Sequence, residues 1–401
     1  MRRKDNSLRI LRIHPFYPSL VYAVKRGTMR YEQDRSIMER GHRIYVISCK
    51  TFEAPSFERA EGIEIYRVPS IALPVIEYPF PNLLIFYSWV VELLKRNKID
   101  LVHVEDGAYL TSLLVLLIKK LLKKPVILSM QGFPGFSWFY GNSFVDWAAK
   151  IYTLTVGKIV LRTADMVVLS ATAYVEDALR LGVPMDKIQV IPRGVDVRIY
   201  RPSLERRKAF REKLGLKDDE IMVLFAGRLV LVKGLEYFVE AAKTLLEENR
   251  KLKFVVAGDG VLRGKYEKEA WGFRDNIRFI GYRLDMGDVM NAADIFVLSS
   301  ISEGCPNAVI EAGACAKPVV ATCVGAASDI IVDGETGLLV KPRSVASLCA
   351  GLRKILASQD ASEMGKKALE RMRKFFSLRT VASQWEKVYL EVADQALDDS
   401  V

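Results

Sequence analysis

The sequence predicts an α/β protein built from two doubly wound, parallel-sheet domains of similar size. Three observations carry this. Short β-branched runs alternate with longer helical patterns almost throughout. The strand-like runs are continuously apolar rather than alternating, as in strands covered on both faces by crossover helices. The alternation breaks once, at IPRGVDVRIYRPSLERRK (191–208), where Pro192, Gly194, Pro202 and a cluster of charge coincide.

In chain order, the first series of strands is expected at 8–13, 43–48, 100–104, 125–130, 165–170 and 187–191. The second is expected at 221–227, 253–258, 276–281, 294–299 and 317–322. Helical patterns such as YEQDRSIMERG, LEYFVEAAKTLLEEN and VASLCAGLRKILAS repeat their apolar residues at three and four. The boundaries follow: residues 1–195 form one Rossmann-like domain and 200–377 another, with the linker at 193–203. The two would face each other across a cleft. A last helical pattern, 378–397, could return to the first domain.

Composition narrows the function. The chain has 401 residues, half of them hydrophobic, which suits two or three cores. No apolar run is long and uncharged enough to span a bilayer, and the basic start MRRKDNSLRILRIH lacks a signal-peptide core, so a cytoplasmic location is expected. Five cysteines, an odd number without CxxC spacing, argue against a disulfide framework and a zinc site. Three histidines make a His-rich metal centre a poor fit. The net charge of +11 favours anionic partners without choosing among nucleotides, acidic lipids and nucleic acid.

The most informative stretch is SEGCPNAVIEAGACAKPVVA (302–321). Ser302 and Glu303 sit where a helix would be capped, Pro306 suits the first turn, and Lys317-Pro318 closes the helix. Asn307 and Glu311 are four apart and share one helical face. Backbone N–H groups of Glu303–Cys305 and of the helix start attract phosphate. One carboxylate on the loop and one on the helix can hold two hydroxyl-bearing groups with a diphosphate between them, the shape of a nucleotide sugar. Cations come from FAGRLVLVKGLEYF (225–238): after Gly227, Arg228 offers a fork to phosphate oxygens and Lys233 a point charge. Taken singly, Glu303 reads equally as a helix cap and Glu311 as a solvated face. AGDGVLRG (257–264) reads as a plain turn, its glycines too irregular for a dinucleotide fingerprint. Cys305 reads as a small filler, since no histidine is near it in sequence.

GRLVLVKG, then SEGCPNAVIEAGACAKPVVAT, then GAASDIIVDGETGLLVKP (325–342) resemble the retaining nucleotide-sugar glycosyltransferases of family 4, which have the GT-B fold. The resemblance covers nearly the whole chain and is most specific at 221–342. It implies that Arg228 and Lys233 bind the donor diphosphate, Glu303 the donor sugar and Glu311 the ribose. Gly227 and backbone groups of Gly304, Cys305, Pro306 and Asn307 would meet sugar and phosphate, and Tyr282 and Arg283 the base. No cofactor or metal is implied; no Asp-x-Asp occurs in the chain. The donor would be a UDP- or GDP-sugar. Charge developing on the leaving diphosphate would be held by Arg228, Lys233 and helix dipoles.

The first domain departs from the family pattern. The family's glycine pair after the first strand is missing. Val24 and Lys25 stand there, Gly27 is the nearest glycine, and Lys25 and Arg26 could approach a phosphate instead. In HVEDGAYL (103–110) Glu105 replaces a second histidine, and PVILSMQG ends in Gln131-Gly132 where His-Gly is common. Glu105, Asp106 and Gln131 are the acceptor-side candidates at the cleft edge, with loop capping as the plainer reading. His103 reads as a packed strand-end residue.

The acceptor would be a glycan or a lipid-linked sugar. Aromatic segments at 71–98 and 133–147 beside Lys95-Arg96, Lys98, Lys119-Lys120 and Lys123-Lys124 suit peripheral contact with an anionic membrane. A buried crossover helix at 110–122 with core aromatics fits as well. Three rivals stay open: a transferase on soluble sugars, a non-catalytic or partner-dependent nucleotide-sugar-binding protein, and a basic nucleic-acid binder, for which no recognition motif is present.

Overall fold

The computed structural model describes residues 7–17, 29–50, 54–73, 78–107, 110–137, 139 and 142–398. It divides into two compact units. Unit 1 comprises 1–137, 143–192 and 378–401; unit 2 comprises 138–142 and 193–377.

Among the described residues, unit 1 holds ten strands: β1 Arg9–His14, β2 Arg43–Cys49, β3 Phe57–Ala60, β4 Ile63–Val68, β5 Ser70–Leu73, β6 Tyr78–Pro81, β7 Leu101–Glu105, β8 Val126–Met130, β9 Met166–Leu169 and β10 Ile188–Val190. Eight of them form one sheet in the order β10-β9-β8-β7-β1-β2-β4-β3, while β5 and β6 make a separate antiparallel pair. The large sheet is parallel except at its β3–β4 edge. The connections from β7 through β10 step one way and the β1–β2 connection the other. Right-handed crossovers therefore put their helices on opposite faces. The helix Leu378–Asp398 joins Met29–Met38 on one face, where Trp385, Val388 and Tyr389 complete a core with Ile10, Tyr31, Ile44, Val46 and Leu101.

Unit 2 carries β11 Ile221–Ala226, β12 Leu252–Ala257, β13 Ile277–Gly281, β14 Ile295–Leu298, β15 Val319–Thr322 and β16 Leu338–Val340. They form one parallel sheet in the order β13-β12-β11-β14-β15-β16. Sequential order reverses between β11 and β14. The loops after these two strands diverge there and leave a crevice at the carboxyl end of the sheet. The amphipathic helices Leu235–Glu248 and Val345–Ala357 seal one face around Phe238, Val239, Leu245, Leu348 and Leu352.

Every strand expected from β-branched runs is present, shifted by no more than two residues. Five strands were not expected. β3 (FERA) is a half-polar antiparallel edge, and β4 (IEIYRV) alternates between buried and half-buried positions. The aromatic segment 71–98 becomes the β5–β6 pair and the helix Leu83–Arg96, capped by the Asn82 side chain at 3.1 and 3.2 Å from the Leu84 and Ile85 nitrogens. That helix buries Phe86, Val90, Leu93 and Leu94, so these apolar residues are core. Across 110–122 a short irregular helix buries Leu114, Val115 and Ile118 and exposes Leu117 and Leu121. Among the described residues, no helix is long and apolar enough to cross a membrane.

Candidate active site

The crevice of unit 2 is a pocket of about 320 Å³. It is lined by Gly227, Arg228, Lys233, Gly258, Asp259, Tyr282, Arg283, Met286, Glu303, Cys305, Pro306, Asn307, Ala308 and Glu311. Of the donor-side residues expected from the sequence, only Gly304 is not in its wall.

Each wall follows from local chain chemistry. After β11, Gly227 and Arg228 lead into a single tight turn, Leu231–Lys233, and the helix Leu235–Glu248 begins behind Gly234. Gly234 has φ +61°, and a Cβ there would meet the Ser299 carbonyl oxygen at 2.1 Å. That close approach ties the β11 loop to the β14 loop. It also aims Lys233 inward. Lys233 Nζ donates to both carboxylate oxygens of Glu303, at 2.6 and 2.8 Å, and Ser300 Oγ donates to Glu303 at 2.6 Å. Glu303 is buried, as is Ser300.

This corrects the expected capping role. The helix runs Asn307–Ala314 with Pro306 at its N-cap, and no side chain caps it. Ser302 and Glu303 lie before it in the buried loop, and the loop is fixed instead by the Ala326 N–H donating to the Gly304 carbonyl at 2.9 Å. Backbone N–H groups at the helix start thus keep their capacity for an anion in the pocket. Asn307 Oδ1 is buried and has no hydrogen-bond partner among the described residues.

Asn307 and Glu311 both reach the pocket from this helix. Burial pushes the Glu311 carboxyl up to about 7, and a hydrogen bond from Tyr200 offsets part of that rise. Tyr200 itself is raised well above its ordinary value, chiefly by burial and then by Glu311. The sequence reading missed Tyr200, which lies in the expected linker. Cys305 is buried and its thiol is pushed up to about 11 by burial, so it is a poor nucleophile at neutral pH.

Tyr282 is half exposed at the pocket wall. Arg283 is held by Asp285, with Nε to Oδ1 at 2.8 Å, and lies 5.4 Å over the Phe210 ring. Arg228 is exposed and has no ion pair among the described residues. Among the described residues, the pocket therefore presents Arg228 without an ion pair, Lys233 and Glu303 neutralising each other, and the raised carboxyl of Glu311.

AGDGVLRG is more than the plain turn expected. β11 and β12 run in register, with Ala226 opposite Ala257, so their loops leave the sheet side by side. Gly258, at φ +143°, comes so close that a Cβ would lie 1.8 Å from the Gly227 carbonyl oxygen. Gly258 and Asp259 consequently line the pocket.

In unit 1, Glu105 ends β7 beneath the surface rather than at an open edge. Its carboxylate accepts from Arg12 on β1, whose other terminal nitrogen donates to Asp34. Tyr17 also donates to Asp34, at 2.6 Å, and His14 Nε2 lies 3.6 Å from Glu105. An arginine in the middle of a buried parallel strand must be paired, so Arg12 in RILRIH is itself a sequence signal for buried acidic partners. His103 is fully buried between Tyr389 (2.8 Å) and Ser129 (3.0 Å), with Trp385 tilted against its ring. Burial and then Arg12 hold its basicity well below the ordinary value, so it is neutral. Asp106 follows β7 with φ +63°, and its N–H donates to the Ser129 carbonyl at 2.9 Å. Gln131 follows β8 and is half-buried. Val24, Lys25, Arg26 and Gly27 lie outside the described residues, as do Trp138, Tyr140 and Gly141 of the 133–147 segment.

Comparison with known proteins gives a consistent picture. Residues 31–199 match the family model Glycosyltransferase Family 4, and residues 206–374 match Glycosyl transferases group 1. The chain is similar to the UDP-Gal:alpha-D-GlcNAc-diphosphoundecaprenol alpha-1,3-galactosyltransferase of Escherichia coli. The two are 27% identical over 314 residues, covering 75% of this chain and 78% of that protein. Among solved structures it resembles sucrose-phosphate synthase from Thermosynechococcus elongatus, with TM-score 0.79 and 20% identity over 96% of this chain and 99% of that one. It also resembles Anabaena HepE in complex with UDP and glucose, with TM-score 0.74 and 18% identity over 95% and 99%.

Proposed function

This chain belongs to the glycosyltransferases with the GT-B fold, and from that premise we propose that it moves a sugar from a nucleotide diphosphate sugar to an acceptor hydroxyl with retention at the anomeric carbon. The observation that carries the reading is the unit 2 pocket, which gathers the cations Arg228, Lys233 and Arg283, the carboxylates Asp259, Glu303 and Glu311, and a helix N-terminus in one place. In this reading Arg228, Lys233 and the N–H groups around Asn307 take the diphosphate. They stabilise its charge as the sugar leaves, in a site where those donors are already fixed. Glu303 turns to the sugar hydroxyls, Glu311 takes the ribose hydroxyls, and Gly304, Cys305 and Pro306 offer backbone groups. Tyr282 and Arg283 flank the base, which we assign as uracil: the E. coli relative is named for a UDP-sugar, and HepE holds UDP. The chemistry as proposed needs no metal.

The acceptor is assigned to unit 1 and to the lipid-linked class, on the strength of the diphosphoundecaprenol in the same relative's name. Glu105 supports this side through Arg12, and Asp106 and Gln131 are the polar groups nearest the strand ends.

Calorimetric titration of UDP-, GDP- and ADP-sugars into wild-type protein and into Glu311→Ala and Lys233→Ala tests the donor site. One donor should bind, and both variants should weaken it. Folded protein that binds none of them sinks the reading. Retention is tested by proton magnetic resonance of the first-formed product, whose anomeric coupling must match that of the donor.

A further inference from the structure

We propose that the outward face of the helical run 143–163 in unit 1 docks on an anionic lipid bilayer. The inference rests on the surface alone. The helix Ser143–Tyr152 buries none of its residues, although it carries Phe144, Trp147 and Ile151. Phe144 is 74% exposed and Trp147 59%. With Ile151 and Leu154 they follow at spacings of three, four and three, which places them along one side of a helix. The Phe144 and Trp147 rings stand 6.1 Å apart and present one aromatic ridge. A core helix hides such a stripe; this one turns it to water.

The charge around the stripe selects the partner. Lys150, Lys158 and Arg162 accompany it, and Asp146 is the single acid between 143 and 163. The irregular helix 110–122 packs beside the Lys158–Thr163 helix and repeats the combination, with Leu121 exposed next to exposed Lys120 and Lys123. Aromatic side chains suit the headgroup boundary, and lysines beside them suit anionic lipid. Pairing with a second copy would bring one cationic rim against another. The face is therefore assigned to a lipid surface rather than to a copy of itself.

Sedimentation with phosphatidylcholine vesicles, with and without phosphatidylglycerol, tests this on the full chain at physiological salt. Wild type should bind only the anionic vesicles. Phe144→Ser combined with Trp147→Ser should lower the partition coefficient by about tenfold or more. Lys150→Glu with Lys158→Glu should lower it too and remove its salt dependence. Thermal melting and donor titration, which read unit 2, confirm that the variants are folded and keep this result apart from the transferase reading. Absence of wild-type binding overturns the proposal, as does equal binding by the aromatic double variant. So does concentration-dependent self-association of the wild type that the same substitutions abolish, because the face would then be an interface between copies.

Discussion

Lys233 and Glu303 neutralise each other in the pocket, so a diphosphate that takes Lys233 must compete with a carboxylate already there. Glu303→Gln removes the competitor's charge while keeping its volume and its bond to Ser300. A hydrogen bond to a charged group is worth about 1.5–3 kcal/mol. The Lys233 side chain is 22% exposed, and solvent screening lowers the figure to about 1–1.5 kcal/mol. That corresponds to roughly tenfold in affinity. The assay is titration of UDP into wild type, Glu303→Gln, Lys233→Met and the double variant. Glu303→Gln should bind UDP about tenfold more tightly, yet transfer sugar more slowly, because the carboxylate proposed for the sugar hydroxyls is gone. In the Lys233→Met background the gain should vanish, since no cation remains to be released. Unchanged or weaker UDP binding by folded Glu303→Gln, or a gain that survives without Lys233, refutes the reasoning.

Three further outcomes are expected. Glu311 is raised from an ordinary 4.5 to about 7. Its contribution to stability is therefore fully present below about 4.5 and is lost as pH climbs through 7. Glu311→Gln should melt with wild type at pH 4.5 and above it at pH 8, by up to about 3 kcal/mol; equal melting at pH 8 contradicts the assigned burial. Gly258→Ala would force a methyl group against the Gly227 carbonyl at φ +143°. It should cost about 2–4 kcal/mol and weaken donor binding together with stability, as read by denaturant titration and calorimetry. His103→Leu strands the Tyr389 hydroxyl and the Ser129 hydroxyl in the core. The expected loss is about 1–3 kcal/mol in urea unfolding, and a variant as stable as wild type shows that those groups find other partners.

Which parts could be read from the chain has a physical pattern. Strands such as LRILRI and IMVLFAG declare themselves because both faces are buried and every position is apolar. β3 (FERA), β5 (SIAL) and β6 (YPFP) lack the continuous β-branched run that marks the others, and β16 is only three residues (LLV). In the pocket, Arg228, Lys233, Glu303, Asn307 and Glu311 lie within two continuous stretches, and the chemistry of those stretches and their family resemblance point to one site. Gly258 and Asp259 come from a third loop and reach the pocket only because β12 pairs with β11 in register. Tyr200 meets Glu311 from more than a hundred positions away. The Arg12–Asp34–Glu105 network is harder still, since its members come from β1, the following helix and β7 and are joined only by sheet order.

The helix Leu378–Asp398 adds a consequence in time. It belongs to unit 1, where Val381, Trp385, Val388 and Tyr389 cover the face of a sheet whose strands lie near the other end of the chain. During synthesis that sheet emerges first, yet its cover leaves the ribosome only after the whole of 193–377. Unit 2, continuous from 193 to 377 apart from one short borrowed segment, has all of its strands available earlier. The order of completion thus reverses the order of translation, and a nascent unit 1 carries an uncovered apolar face for as long as unit 2 takes to be made.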